Sequence, residues 1–286
     1  MKGDEAKKLA DGALEELAMA LDDGHSESLT AFLKTMARFH KYSVGNSLLI
    51  AVQRPGATHI AGYRMWQKLK RQVRHGEKGI AILAPMVHRR SKERSISDED
   101  TRVPDATAAD KHRAVVGFRG ATVFDIGQTD GDPLPEFAHV GGDPHVYMER
   151  LQRFVESRGI RIEYSNSMGA AYGLSCGGTI KLRPDLPPAE QFSVLTHELA
   201  HELMHRDDQR RELSRTVRET EAEAVAFVVC QAIDLDTYTA ARDYIQLYQG
   251  DRKLLMESLE RIRETAVEII EAIKGPPAQE AEPVGD

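Results

Sequence analysis

"LTHELAHELMH" (residues 195–205) decides how the second half of this chain is read. Histidine recurs at every fourth position, and a glutamate follows each of the first two. On a helix, positions four apart share a face, so His197 and His201 can aim both imidazoles at one ion. Glu198 sits about 100° round the helix, where it can reach a metal-bound water without ligating. Zn2+ lowers the pKa of such a water towards ~7, and a carboxylate beside it can take the proton as general base. His205 lies roughly 12 Å along the axis from His197, too far for one tetrahedral ion to hold all three rings. It is expected to hydrogen-bond at the helix end.

A catalytic zinc needs a third protein ligand. The next helical stretch, "RETEAEAVAFVVC", offers Glu219, Glu221 and Glu223. Glu219 and Glu223 are four apart and share a face. We take Glu219 as the ligand and Glu223 as the carboxylate behind a ligand imidazole, the reverse order being the alternative. Glu221 is expected to point to solvent. The competing reading is a merely polar helix, since HExxH arises by chance in on the order of one chain in a hundred of this length. Phe192, Leu195, Leu199 and Leu203 give this helix an apolar face of its own, which favours the metal.

The chain has 286 residues, enough for two modest domains, and a net charge of −7 that excludes a uniformly basic protein. Its two cysteines, Cys176 and Cys230, are far apart in sequence, as expected in a reducing compartment. No signal-peptide core and no apolar run of membrane-spanning length is seen, so a cytoplasmic protein without membrane contact is expected.

Helices are predicted at 5–22, 29–41 and 43–54, the last capped by Ser43 and stopped by Pro55-Gly56. "IAIL" (80–83) reads as a strand that pairs with "AVVGFRGATVFDI" (114–126) across a charged, flexible loop at 88–113. "QTDGDPLPEF" and "GGDPH" mark an interdomain connection. Beyond it, a helix at 147–157 and strands at "IRIEY" and "TIKL" precede helices starting near Pro187 and at 217–233, 239–249 and 251–273. The tail at 275–286 is too polar to fold.

Between residues 61 and 94 ten Lys and Arg face two Glu, an excess of positive charge of roughly eight in an acidic chain. Such clusters neutralise phosphates. Tyr63 and Trp66 lie among them, as stacking platforms for single strands do. The alternative is a solvated surface with Trp66 buried in a small core.

"HELAHELMH" with "ETEAEAVAFVV" after it and "GLSCGGTIKL" before it resembles zincin-type metallopeptidases of the ImmA/IrrE kind and the C-terminal domain of ArdC-type antirestriction proteins, over residues 147–251. "NSLLIAVQRPGATHIAGYRMWQKLKRQVRHGEKGIAILAP" with "VFDIGQTDG" is similar to the single-stranded-DNA-binding domain of ArdC-type proteins, over residues 32–131. The first resemblance implies an α+β peptidase domain in which a strand, expected to be "TIKL", aligns an extended peptide. For the oxyanion it leaves Tyr172, Tyr238 and Tyr244 as candidates. The second implies that Asn46, Arg64, Trp66, Lys68, Arg71, Arg74 and Lys78 lie on or near a DNA-facing surface.

The resulting expectation is an α+β chain with two domains. Residues 1–135 form a small mixed α/β DNA-binding domain, and residues 143–274 form a mainly helical zincin-like domain with a small sheet. The expected function is a gluzincin-like zinc metalloendopeptidase, narrow or vestigial in activity, that binds single-stranded DNA and cleaves a protein of unknown identity. The alternative is a non-proteolytic antirestriction protein that shields single strands and keeps Zn2+ mainly for structure.

Overall fold

The computed structural model describes residues 3–89, 113–132, 144–168, 171–205, 213–235 and 251–275. The charged loop, the interdomain connection, the helix expected at 239–249 with Tyr238 and Tyr244, and the tail lie, wholly or nearly so, outside the described residues.

Small and branched apolar residues spaced three and four apart make α1 (Gly3–Asp22) amphipathic. It buries Ala6, Ala10, Leu14, Leu17 and Leu21 and turns its acids outward. α2 (Ser26–Arg38) buries Leu29, Phe32, Leu33 and Met36. α3 (Val44–Gln53) starts at its cap, where Ser43 Oγ accepts from the Asn46 backbone N–H at 3.3 Å. It stops before Pro55, which disfavours helical backbone in the residue ahead of it.

The strands that follow are short except for one ribbon. β1 (Ile60–Ala61), the one-turn helix α4 (Tyr63–Lys68) and β2 (Arg71–Val73) lead into β3 (Ile80–Arg89), β4 (Arg113–Asp125) and β5 (Thr129–Gly131). β3 and β4 pair antiparallel, Ile80 opposite Val123, with β1 on the other edge of β4. β2 and β5 form a separate two-stranded ladder.

α3 covers the outer edge of β3 with two side-chain amides. Asn46 accepts from the Leu83 N–H (2.8 Å) and donates to its carbonyl (2.9 Å). Gln53 does the same for Ala81, at 3.0 and 2.9 Å. A carboxamide carries a donor and an acceptor just as a strand residue does, so these two replace a neighbouring strand. An edge left open would recruit another chain.

In the second half, α5 (Pro144–Ser157), β6 (Arg161–Tyr164), β7 (Gly173–Ser175) and β8 (Thr179–Leu182) precede α6 (Pro188–Met204), α7 (Arg215–Ala232) and α8 (Arg252–Lys274). β8 is central, parallel to β6 and antiparallel to β7. β7 escapes a sequence reading because three residues are too few to show alternation. One apolar core joins Leu17 and Leu21 of α1 and Phe32 and Met36 of α2 to Leu199, Val225, Ile262 and Ile269. It therefore crosses the boundary expected between the two halves. A smaller core of Phe39, Ile50, Ile80, Ile82 and Val123 closes the ribbon. Among the described residues no helix is long and apolar enough to cross a membrane.

Replacing Asn46 with Ala strands the N–H and C=O of Leu83. Denaturant unfolding should show a loss of about 1–3 kcal/mol, and an unchanged midpoint would mean that water takes over both bonds.

Candidate metal centre and the basic N-terminal face

Proline at the start of α6 is harmless because the first turn has no helical partner for its missing N–H. Phe192, Leu195, Leu199 and Ala200 are fully buried and fix which way the helix faces. His197 and His201 then turn towards α7, whose own register is set by the buried run from Ala222 to Cys230.

The three donors His197 Nε2, His201 Nε2 and Glu219 Oε2 converge. The two ring nitrogens are 3.1 Å apart, and the carboxylate oxygen lies 3.6 Å from His197 and 3.5 Å from His201. Ligands at the usual zinc distances of about 2.0–2.2 Å span tetrahedral edges of about 3.4 Å. The donor triangle is therefore of the size that one tetrahedral ion requires. Among the described residues it is the group of His and acidic side chains placed to hold a metal.

Each imidazole is held from behind. Glu223 Oε2 lies 3.3 Å from His197 Nδ1. His205 Nδ1 lies 3.1 Å from His201 Nδ1, and its Nε2 is 2.9 Å from Glu221 Oε2. Arg261 on α8 donates to the other oxygen of Glu221 through Nε at 3.1 Å. Glu221 is fully buried, not solvated as its place in the sequence suggests. Its partners come from α6 and α8, and helical spacing within α7 cannot reveal them.

These contacts set the charges. Burial of His197 opposes its charged form, but Glu219 and Glu223 outweigh that and draw its pKa up to about 9. The His197 bond, against burial, holds Glu219 down to about 2. Burial raises the carboxyl of Glu198 above its ordinary range, against the pull of His197. Burial alone would raise Glu221 as well, yet His205, Arg261 and Ser258 hold it low.

β7 runs along α6 at close range. A Cβ on Gly173 would sit 2.7 Å from Glu198 Cγ and 2.6 Å from Val194 Cγ1, so only glycine lets the strand pass. The Ser175 N–H bonds Glu198. "TIKL", expected to be the strand at the site, is β8 in the middle of the sheet; the edge strand beside Glu198 is β7. Tyr172, just ahead of β7, is 56% exposed, with the Arg183 guanidinium 5.6 Å from its ring centre.

Glu202 was not singled out in the sequence. Its carboxylate accepts from Ser175 Oγ (2.6 Å), Gly177 N–H (2.8 Å) and Gly178 N–H (2.8 Å). Both glycines have positive φ, 66° and 97°, which closes the β7–β8 turn. The available signal was its spacing: Glu198 and Glu202 are four apart and meet the same strand.

The expected DNA-facing residues divide into two groups. Asn46 is buried on the edge of β3, as above. Trp66 is 1% exposed and donates Nε1–H to the Phe124 carbonyl at 2.9 Å, so it packs inside and offers no platform. Arg71 clamps β5, giving Nε to Thr129 Oγ1 (2.8 Å) and Nη2 to the Thr129 carbonyl (3.0 Å). Arg74 pairs with Glu77 at 2.9 Å and Asp130 at 3.2 Å. Arg64, Lys68 and Lys78 are exposed, and their side chains make no hydrogen bond or ion pair with other described residues.

Comparison with known proteins matches this arrangement in both halves. The N-terminal domain of anti-restriction factor ArdC matches residues 8–124, and the IrrE N-terminal-like peptidase domain matches residues 155–266. The two halves of the chain thus resemble, in turn, an ArdC N-terminal domain and an IrrE-like peptidase domain. Two crystal structures of the antirestriction ArdC protein from the R388 plasmid, one metal-free and one Mn(II)-bound, share the fold of this chain. Their TM-scores are 0.55 and 0.53 at 20% and 19% identity, and the match covers 93% of this chain and 98% of theirs. An uncharacterised protein of Bacillus anthracis is 25% identical over 94% of this chain and 51% of its own length. One from Sinorhizobium fredii is 33% identical over 37% of this chain and 31% of its own. The chain thus spans about half, or less, of the curated relatives it matches.

Glu202→Ala should release the β7–β8 turn. The Gly177 and Gly178 amides should then exchange hydrogen faster, with a stability loss of about 1–3 kcal/mol. Unchanged exchange there would show that the turn holds itself.

Proposed function

We propose that this chain is a DNA-associated zinc metallopeptidase of the cytoplasm, holding single-stranded DNA in its N-terminal half and hydrolysing a peptide bond of a protein substrate at the α6–α7 centre. The observation that carries the reading is the donor triangle of His197, His201 and Glu219 with Glu198 beside it. A purely structural metal has no need of that second carboxylate.

In this reading His197, His201 and Glu219 hold Zn2+, which when bound supplies a Lewis acid and brings a coordinated water's pKa towards ~7. Glu198, buried and raised in pKa, takes the proton of the attacking water and passes it to the leaving amine nitrogen. Glu223 and His205 keep the two Nε2 atoms pointed at Glu219, as partners behind a ligand do. β7 offers the edge along which an extended peptide can lie, with Leu174 exposed on it. Glu202 keeps that edge in place. The fold is matched by both the metal-free and the Mn(II)-bound ArdC crystals, which supports a metal kept for chemistry over one kept for folding.

DNA binding rests on the ArdC N-terminal domain match and on the unpaired cations Arg64, Lys68 and Lys78. The second reading, a non-proteolytic antirestriction protein that shields single strands, is favoured by the description of the ArdC relative. Glu198 separates the two.

Glu198→Gln should keep one zinc per chain by elemental analysis, keep the fold, and abolish cleavage of an unfolded protein mixture read by mass spectrometry. If wild type and variant give the same peptides, the hydrolase reading fails. His201→Ala should lose the ion, and Glu223→Ala should weaken zinc binding about 10- to 100-fold.

For DNA, replacing Arg64, Lys68 and Lys78 together with Ala should flatten the slope of log K against log salt. The slope should fall by about 0.7 for each phosphate that is no longer neutralised. A slope equal to wild type would remove these residues from the interface.

A further inference from the structure

An open cavity of about 550 Å3 lies where α4, β2 and the ends of β4 and β5 meet. Its walls include Tyr63, Gln72, Arg74, His75, Phe124 and Asp130. The Tyr63 ring is 43% exposed and held in place from two sides. It meets Phe124 edge-on at 6.4 Å, and its hydroxyl accepts from Gln72 Nε2 at 2.6 Å. Fixing the ring beforehand removes the ordering entropy that a loose aromatic would lose on stacking.

The polar groups of the cavity are unsuited to phosphate. Arg74, the guanidinium in the wall, already donates to Glu77, Asp130 and the Gly127 carbonyl. Besides the exposed His75 ring, which makes no hydrogen bond with the described residues, two acceptors remain open. Gln72 Oε1 receives no donor from the described residues, and Asp130 uses Oδ1 for Arg74 and leaves Oδ2 open on a side chain 73% exposed. Gln72 and Asp130 are directly opposed in the β2–β5 ladder, so their side chains leave the same face about 5 Å apart. Two neighbouring acceptors beside a fixed aromatic face suit a flat ring that carries an amino group. The exposed, unpaired cations Arg64, Lys68 and Lys78 flank these walls in sequence, and a strand's phosphates can meet them outside the cavity.

We propose that this cavity is a nucleobase pocket. One unstacked base of a bound single strand lies on Tyr63, with its exocyclic amine directed at Gln72 Oε1 and Asp130 Oδ2. The inference rests on the single-strand reading above and adds to it a base preference: amino-bearing bases over thymine, whose corresponding edge carries a carbonyl.

The test is binding of oligo-dC and oligo-dT of equal length by fluorescence anisotropy, at one salt concentration and at mildly alkaline pH. Emission of the sole tryptophan, Trp66, reports the fold of each variant. Wild type should favour oligo-dC by about 5-fold or more, the lower end of the discrimination a good polar base contact gives. Asp130→Asn should bring the ratio of the two affinities towards one. Tyr63→Ala should weaken both strands by about 5-fold or more, whereas Tyr63→Phe keeps the ring and should keep most of the affinity.

If strands bind with normal salt dependence but wild type does not distinguish them, or Asp130→Asn leaves the ratio untouched, the pocket is wrong and the single-strand reading stands. If no strand binds at any salt, that reading fails and the pocket with it. Displacement of the oligonucleotide by micromolar free dCMP would also overturn the proposal, because it would mark a site for free nucleotides.

Discussion

Glu219 reaches His197 and His201 only because α6 and α7 are pressed together by the apolar seam that includes Leu195, Leu199, Ala222 and Val225. Every other feature of the centre hangs on that packing. A tetrahedral donor set tolerates errors of a few tenths of an ångström, and exposed side chains on separate helices do not hold such positions unaided. Here the helices are fixed by close packing, and the rings by buried partners behind them. The same core runs on into α1 and α2, and α2 packs against α7, so an N-terminal helix braces the helix that carries Glu219.

Five glutamates on α6 and α7 illustrate how position assigns work to one kind of side chain. Glu219 stays half exposed at the donor triangle and is kept ionised by His197. Glu223 stands behind that ring. Glu221, two residues away and fully buried, joins His205 to Arg261 and so ties three helices together. Glu198 has few partners, and burial raises its carboxyl above the ordinary range. Glu202, four residues on, is saturated with donors and acts as an anchor. Burial, partner charge and donor count separate these roles, and none of them is written in the word glutamate.

In the N-terminal half the same logic sorts the cations. Arg71 and Arg74 bind their own chain and build the β2–β5 corner, while Arg64, Lys68 and Lys78 face water. A planar guanidinium with several fixed donors suits backbone carbonyls and carboxylates. The arginines at the corner therefore serve structure, while Arg64 and the two lysines are left over. Trp66 follows the commoner fate of tryptophan: it fills a core and satisfies its N–H on the Phe124 carbonyl. Among the basic residues, the aromatic left at the surface is Tyr63.

Much of this protein was legible in its sequence wherever a local rule governs. The Ser43 cap, the Pro55 stop, the β3–β4 pairing and the helices α5 to α8 follow from capping, φ restriction and periodicity, which act within a few residues. The placing of His197, Glu198 and His201 is of that kind, because a helix alone puts residues four apart on one face. Tertiary structure decided what depends on a neighbour distant in the chain. It buried Glu221 against Arg261, closed Glu202 around the glycine turn, made β7 and not β8 the edge strand, and turned Asn46 and Trp66 inward. Each of those outcomes is a choice between water and a partner brought near by packing, and that choice has no signature in the spacing of residues along a single element.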